Sequence, residues 1–358
     1  MIDVELFRKT LVNWYLSNKR KLPWRSTDNP YNIWVSEIIL QQTRVNQGTD
    51  YYHRFLERFP NLETLAAAKE EEVLKMWEGL GYYSRARNMH ETARHIVQYL
   101  NGVFPQETEA LEKLKGIGKY TAAAIASFAF NKAAAVVDGN VIRFITRLAG
   151  IEGSVNNTAT LKQIHSLSNE FLCTSAPGIF NQAMMEFGAL QCVPGNPDCL
   201  KCIFSTTCHA FINNKVSALP YKSKKTRITE RFFNYLVIEC NARENAGMVI
   251  KKRGEGDIWK HLYDFPLIEA DKLLNQQQLK QNKAFLNLIK DFNTTVVEYE
   301  KDYRHQLTHR RIHARFFRVI VYNQDGINLP AGYICTGETG KYPMPKLINL
   351  FIHENRNH

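Results

Sequence analysis

The chain has 358 residues, 44% of them hydrophobic, which is enough to bury a substantial core and favours two domains over one. Lysine and arginine outnumber aspartate and glutamate 46 to 35, and the resulting formal charge of +11 fits a polyanionic partner such as nucleic acid, although charge for solubility alone would read the same way. No stretch approaches the roughly 18 consecutive apolar residues of a membrane span, and Met1 to Lys9 carries Asp3 and Glu5 where a secretion signal is basic and then apolar, so no membrane partner and a cytoplasmic location are expected.

From Phe7 to about Phe211 apolar residues recur at three- and four-residue spacings, so helix is predicted almost throughout. Breaks fall at Asn29-Pro30, Gly79-Leu80-Gly81, Gly102, Gly116-Ile117-Gly118 and Asp138-Gly139. Tyr31 to Val45, YNIWVSEIILQQTRV, is predicted as one helix buried through Trp34, Val35, Ile38 and Ile39, with Glu37 inside the apolar run. A carboxyl group there is expected to have a raised pKa and to be able to deliver a proton near neutral pH. The alternative is a glutamate that only pairs with a basic neighbour.

Leu114 to Ala122 reads as helix, glycine turn, helix, with Gly116 and Gly118 expected at positive φ. Their N–H groups and the following helix N-terminus, beside Lys113, Lys115 and Lys119, would make a phosphate site; an ordinary helix cap uses the same Gly-x-Gly. Asp138, in Val136-Val137-Asp138-Gly139-Asn140-Val141, is predicted to cap a helix ending near Leu148 and to be held ionised there. Two carboxyl groups with pKa values pushed apart make a proton donor and a charge stabiliser, whereas Asp138 as a cap alone would be structural.

Four of the seven cysteines then crowd together: Cys192, six residues, Cys199, two residues, Cys202, five residues, Cys208, with Pro194 and Pro197 shaping the loop. Cys173, Cys240 and Cys335 stand apart. In a reducing compartment this clustering argues for metal over disulfides. Zinc sites usually pair two short-gap knuckles and only one short gap exists here, so the spacing leans toward iron–sulfur and leaves zinc and unliganded thiols open. Asn213 to Arg231 loses the helical period, gains Pro220 and carries Lys215, Lys222, Lys224, Lys225, Arg227 and Arg231, reading as a basic linker. Strands are predicted at Phe232 to Cys240, Met248 to Lys252, Thr294 to Tyr299 and Ile312 to Tyr322, around a helical stretch near Asp271 to Lys290.

The cysteine spacing resembles the cluster loop of the endonuclease III superfamily of helix-hairpin-helix glycosylases. LPWR at Leu22 to Arg25, SEIILQQT at Ser36 to Thr43, GLGYYSRARN at Gly79 to Asn88, VDGNV at Val137 to Val141 and NQAMMEFGA at Asn181 to Ala189 resemble the adenine DNA glycosylases within it. The resemblance implies a mainly α fold: a two-lobed helical glycosylase domain over 1–212, with the hairpin near 113–122 and the iron–sulfur loop over 192–208. The basic linker over 213–231 and a smaller α+β, Nudix-like lesion-recognition domain over 232–358 follow. It also implies a 4Fe-4S cluster on Cys192, Cys199, Cys202 and Cys208. The implied partner is double-stranded DNA with adenine opposite 8-oxoguanine or guanine, bound by a monomer acting in base excision repair.

Carried over by resemblance, Glu37 is the acid that protonates adenine at N7, and Asp138 stabilises the oxocarbenium-like sugar. Gln42 and Tyr82 wedge into the stack as adenine is flipped out, and Thr43 borders the opposite base. Trp24, Arg25 and Glu186 shape the adenine pocket, while Gly116, Gly118 and Lys119 hold backbone phosphates. Tyr120 stands where sister enzymes that also cut the backbone place an attacking lysine, which implies a monofunctional glycosylase whose phenol hydrogen-bonds the active-site carboxylate; Lys119 is expected to point elsewhere.

In the second domain Trp259 to Pro266 is the best local match, and the acidic helix of Nudix hydrolases is not apparent. Tyr303 to His309 aligns with the lesion-reading loop, where the family commonly carries Phe-Ser-His and this chain has Leu307-Thr308-His309, keeping hydroxyl and imidazole but not the aromatic. Competing readings are an endonuclease III-like glycosylase-lyase for oxidised pyrimidines and a non-catalytic cluster protein that senses redox state on DNA.

Overall fold

A computed structural model describes residues 3–223, 228–240, 247–290, 293–322 and 330–355; Lys224, Lys225 and Arg227 of the basic segment lie outside them. By Cα proximity the chain divides into two compact units, residues 1–67 with 88–224 and residues 68–87 with 225–358. The segment 68–87, predicted from sequence as part of the helical domain, thus groups with the sheet-bearing half. Among the described residues no helix is long and apolar enough to cross a membrane.

The first unit is helical because its apolar residues keep a helical period and its polar residues cap it. Asn29 accepts from the N–H groups of Tyr31 and Asn32 and Pro30 occupies the first turn, which starts the Pro30–Leu40 helix. That helix stops at Leu40 instead of running to Val45: Gln42 sits at φ 60 and a new helix spans Val45–Arg58. Across this turn the two helices pack closely: a Cβ at Gly48 would meet Leu40 Cδ2 at 2.7 Å. The helices Val4–Asn18, Gly139–Ala149, Thr158–Phe171 and Pro177–Leu190 share a core in which the Phe7 ring meets Phe171, Phe204, Phe144 and Phe180 at 4.6–6.3 Å. The Ala-rich Lys119–Phe130 helix presents small buried residues to Pro30–Leu40, so the two axes come close and Tyr120 reaches Glu37.

In the second unit the described residues form an eight-stranded sheet: β1 Thr229–Cys240, β2 Gly247–Lys252, β3 Tyr263–Asp264, β4 Leu267–Ala270, β5 Thr294–Glu298, β6 Tyr303–Gln306, β7 Arg310–Val321 and β8 Tyr333–Thr336. The main path runs β3-β2-β1-β7-β5, with β1 and β7 parallel from Thr229 opposite Arg310 to Glu239 opposite Ile320. The short β3, β4, β6 and β8 carry too little pattern to be predicted. Side chains alternate faces. Phe233, Tyr235, Ile312 and Phe316 join one core with the Lys346–Glu354 helix, and Leu236, Ile238, Phe317 and Val319 join another with Leu279 and Phe285. The segment 68–87 is tied in by polar contacts: Glu71 accepts from Lys252 Nζ (2.8 Å) and the Tyr263 hydroxyl (2.7 Å), and Arg87 donates to the Lys260 carbonyl (2.9 Å).

Candidate functional site

A cavity of about 810 Å³ opens in the first unit. Trp24, Arg25, Glu37, Gln42, Thr43, Gly116, Gly118, Lys119, Tyr120, Asp138 and Glu186 all line it, so eleven residues singled out from the sequence meet in one place. Glu37 is 5% exposed and accepts a 2.5 Å hydrogen bond from the Tyr120 hydroxyl. Burial drives its carboxyl up to about 7 against the lowering effect of that bond, and nearby Asp138 adds to the rise. The Tyr120 phenol is pushed up in turn, by burial first and then by the charge of Glu37.

Asp138 caps the Gly139–Ala149 helix as expected, its Oδ1 accepting from Asn140 N (2.9 Å) and Val141 N (2.8 Å) and its Oδ2 from Asn140 Nδ2 (2.7 Å). Its pKa nevertheless moves upward, because burial outweighs these donors, so the expected downward pull of the cap is corrected. The Asn140 and Arg143 contacts were not foreseen. Arg143 donates to Asn140 Oδ1 (2.9 Å) and to the Cys192 carbonyl (2.7 Å), so a continuous file of hydrogen bonds links the Asp138 carboxyl to the cysteine loop.

Glu186 has no exposed surface. Burial raises its pKa, but bonds from Arg25 and Arg20 overcome that and hold it at about 2. Arg25 supplies two bonds (2.9 and 2.8 Å), and Arg20 adds its backbone N–H (2.8 Å) and guanidinium (3.0 and 2.5 Å). Arg20 escaped the sequence reading because it precedes the recognisable Leu22-Pro23-Trp24-Arg25 run. Trp24 stands edge-on to Tyr52 at 5.5 Å, fixing one wall.

At the cavity rim, Gly116 has φ 80 and lies against Asn88, where a Cβ would come within 2.6 Å. Gly118 does not have the expected positive φ: it is extended at φ −91 and caps the Lys119–Phe130 helix without a side chain, and a Cβ there would meet nothing of the protein. The N–H groups of that helix start are therefore approachable, which suits an anion. The helix expected before the glycines is a single turn, Thr108–Leu111, and Lys119 is among the residues that line the cavity. Tyr82, Thr308 and His309 lie elsewhere, lining a second cavity within the other unit, where the Tyr82 and Thr308 hydroxyls are 2.8 Å apart. Gln42 and Tyr82 share a feature: both hold the left-handed backbone that non-glycine residues avoid, at φ 60 and 47.

Cys192, Cys199, Cys202 and Cys208 are free thiols lining one small chamber walled by Phe144, Phe187 and Phe204, whereas Cys335 is disulfide-bonded. Burial pushes the Cys192 and Cys199 thiols up and Cys202 to about 11. Arg147 points at Cys192 Sγ (3.5 Å) while its other N–H groups hold the Val193, Pro194 and Leu219 carbonyls, setting a fixed cation beside the sulfurs. Four soft donors in an apolar chamber with a compensating guanidinium fit a thiolate-bound cluster. Among the described residues no three Cys, His, Asp or Glu side chains are placed to hold one metal ion.

Residues 35–170 match the family model of the HhH-GPD superfamily base excision DNA repair proteins. The adenine DNA glycosylase of Buchnera aphidicola subsp. Baizongia pistaciae is 35% identical over 320 residues, covering 88% of this chain and 86% of that protein. The mouse adenine DNA glycosylase is 43% identical over 230 residues, covering 61% of this chain and 45% of that longer protein. Among solved structures, a thermostable thymine-DNA glycosylase matches with TM-score 0.54 and 31% identity over 59% of this chain and 97% of that one. An endonuclease III–DNA complex matches in fold, with TM-score 0.51 and 22% identity over 60% of this chain and 99% of that one. With the helical unit arranged as in these glycosylases and a relative matched along nearly its whole length, the chain belongs to the adenine DNA glycosylases of the HhH-GPD base excision repair superfamily.

Proposed function

We infer that this chain removes adenine mispaired with 8-oxoguanine or guanine in double-stranded DNA, as a monofunctional glycosylase. The observation that carries the reading is the pair of carboxyl groups on one cavity: Glu37, raised to about 7 and bonded by Tyr120, and Asp138, held by three donors at a helix start. A half-protonated acid at neutral pH beside a cradled carboxylate is the division of labour that glycosidic cleavage needs.

In the proposed course, phosphates lie on the helix start at Gly118 and Lys119, and Gln42 fills the stack as adenine swings into the cavity. Trp24 walls the base, and the Arg20–Arg25–Glu186 network fixes the pocket in one geometry. Glu37 gives its proton to N7 of adenine. The bond between N9 and C1′ breaks, and its electron pair leaves with the base. Asp138, ionised, faces the positive charge that grows on the sugar. Water adds at C1′ and its proton returns to Glu37, leaving adenine and an abasic sugar. Because Tyr120 offers a phenol and no amine, no Schiff base forms there.

Cys192, Cys199, Cys202 and Cys208 would hold a 4Fe-4S cluster, whose part is to fix this loop and its backbone against DNA. The sheet-bearing unit acts as the Nudix-like reader of the base opposite adenine, with Thr308 and His309 at its edge. The test is Glu37→Gln under single-turnover conditions: duplex binding should persist while adenine release falls by at least about 10²-fold, the worth of a general acid. Near-parental release would remove Glu37 as the acid.

A further inference from the structure

Residues of the second unit alone enclose a cavity of about 570 Å³, bounded by the turn at 79–84, the turn at 257–259, the hairpin at 305–310 and Lys346. The hairpin is braced from within: Leu307 N donates to the Arg310 carbonyl (2.8 Å), and the Gln306 amide donates to the carbonyls of Leu307 (2.6 Å) and Arg310 (3.2 Å). In this geometry Leu307 packs into the core beneath while Thr308 and His309 stay exposed. The loop therefore offers hydrogen bonds to an edge, and Leu307 offers no aromatic face.

An aromatic side chain reaches the cavity wall at Trp259. This residue holds φ 58, a conformation that a bulky side chain keeps only when its surroundings impose it. They do so in detail. Asp257 accepts from Arg231 (2.7 Å), from Arg253 and from the Ile258 N–H (2.7 Å). Arg253 Nε donates to the Ile258 carbonyl (3.0 Å), its own carbonyl accepts from His261 N (3.0 Å), and its guanidinium stands 5.8 Å from the indole centroid. Phe233 meets the indole edge-on at 6.1 Å and His305 at 5.8 Å, which fixes the ring where the residue packs on the core and lines the cavity. Burial, and then Lys346, push the pKa of the His305 ring down.

We propose that Trp259, with His305 against it, is a specificity-determining residue of this cavity: the indole supplies the aromatic surface for a purine base whose edge Thr308 and His309 bond. This rests on reading the cavity as the place where the base opposite adenine is recognised. An aromatic surface holds guanine and 8-oxoguanine alike by the π-face; a rigid one also fixes the base so that its edge meets Thr308 and His309, and it is through that register that Trp259 acts on the choice between them. The aromatic that Leu307 does not provide is thus provided from a different turn of the same unit.

The test compares single-turnover adenine release opposite 8-oxoguanine with release opposite guanine. Trp259→Leu should lower the ratio of the two rates by about five-fold or more, as the edge contacts at Thr308 and His309 lose their register, and Trp259→Phe should recover most of it. Circular dichroism and thermal unfolding check each variant's fold, and Trp259→Met, which fills similar space without an aromatic face, carries the test should Trp259→Leu unfold. Thr308→Ala is measured in parallel. A ratio unchanged in Trp259→Leu but lowered in Thr308→Ala overturns the role of Trp259 and leaves the reading of the cavity standing. A ratio unchanged in both overturns that reading as well. Equal losses on both substrates, or a Trp259→Phe variant no better than Trp259→Leu, also refute the proposal.

Discussion

Replacing Glu37 by glutamine should make the protein more stable in mild base while destroying its activity. Glu37 is buried, and its pKa stands at about 7 against an ordinary 4.5, so the folded state holds the proton more tightly than the unfolded chain. That rise corresponds to about 3 kcal/mol of differential stability between the two protonation states. Because the folded value is the higher one, the contribution is fully present below pH 4.5 and is lost as pH rises through 7. Glutamine keeps the shape, can still accept from the Tyr120 hydroxyl and never ionises. Urea unfolding followed by far-UV circular dichroism, which reports the helices, should therefore find the two proteins within about 1 kcal/mol of each other near pH 4.5 and the variant ahead by about 3 kcal/mol near pH 8.5. If the variant were no more stable near pH 8.5, the buried carboxyl would not carry a raised pKa and the argument for Glu37 as a proton donor would fail.

Asp138→Asn should bind duplex yet release adenine at least about 10²-fold more slowly, since an amide cannot offset positive charge on the sugar; single-turnover rates near the parent's would take Asp138 out of the chemistry. The purified protein should be yellow-brown and hold about four irons per chain by metal analysis, and stoichiometric zinc without iron would contradict the cluster. Tyr120→Lys should yield a covalent DNA adduct on borohydride treatment that the parent forms poorly; robust trapping by the parent would restore the lyase reading.

Much of this was legible in the sequence because chemistry-bearing residues sit in patterns that local physics explains. Glu37 stands out as an acid in an apolar helical run, Asp138 as a cap before Gly139-Asn140, and the four cysteines by their spacing. What stayed hidden depends on contacts distant in sequence. The helix breaks after Leu40, where Gly48 packs against it, and Gln42 sits in a turn, not on a helix. Asp138 looked like a carboxylate with a lowered pKa because capping is local and visible, whereas the burial that outweighs it is tertiary. Arg20 gives no sign of its role until Glu186, 166 residues away, is placed beside it. The grouping of 68–87 with the sheet shows in contacts such as Glu71 with Lys252 and Tyr263, polar residues that any helix surface could carry.

The central claim concerns which base leaves. Duplexes carrying adenine opposite 8-oxoguanine, adenine opposite guanine, adenine opposite thymine, and an oxidised pyrimidine opposite its normal partner can be incubated with excess protein and the freed bases identified by mass. The account predicts free adenine from the first two, with the sugar–phosphate backbone intact until alkali is added, and nothing from the others. Release of the oxidised pyrimidine with simultaneous strand cleavage, or no base from any duplex, would contradict it.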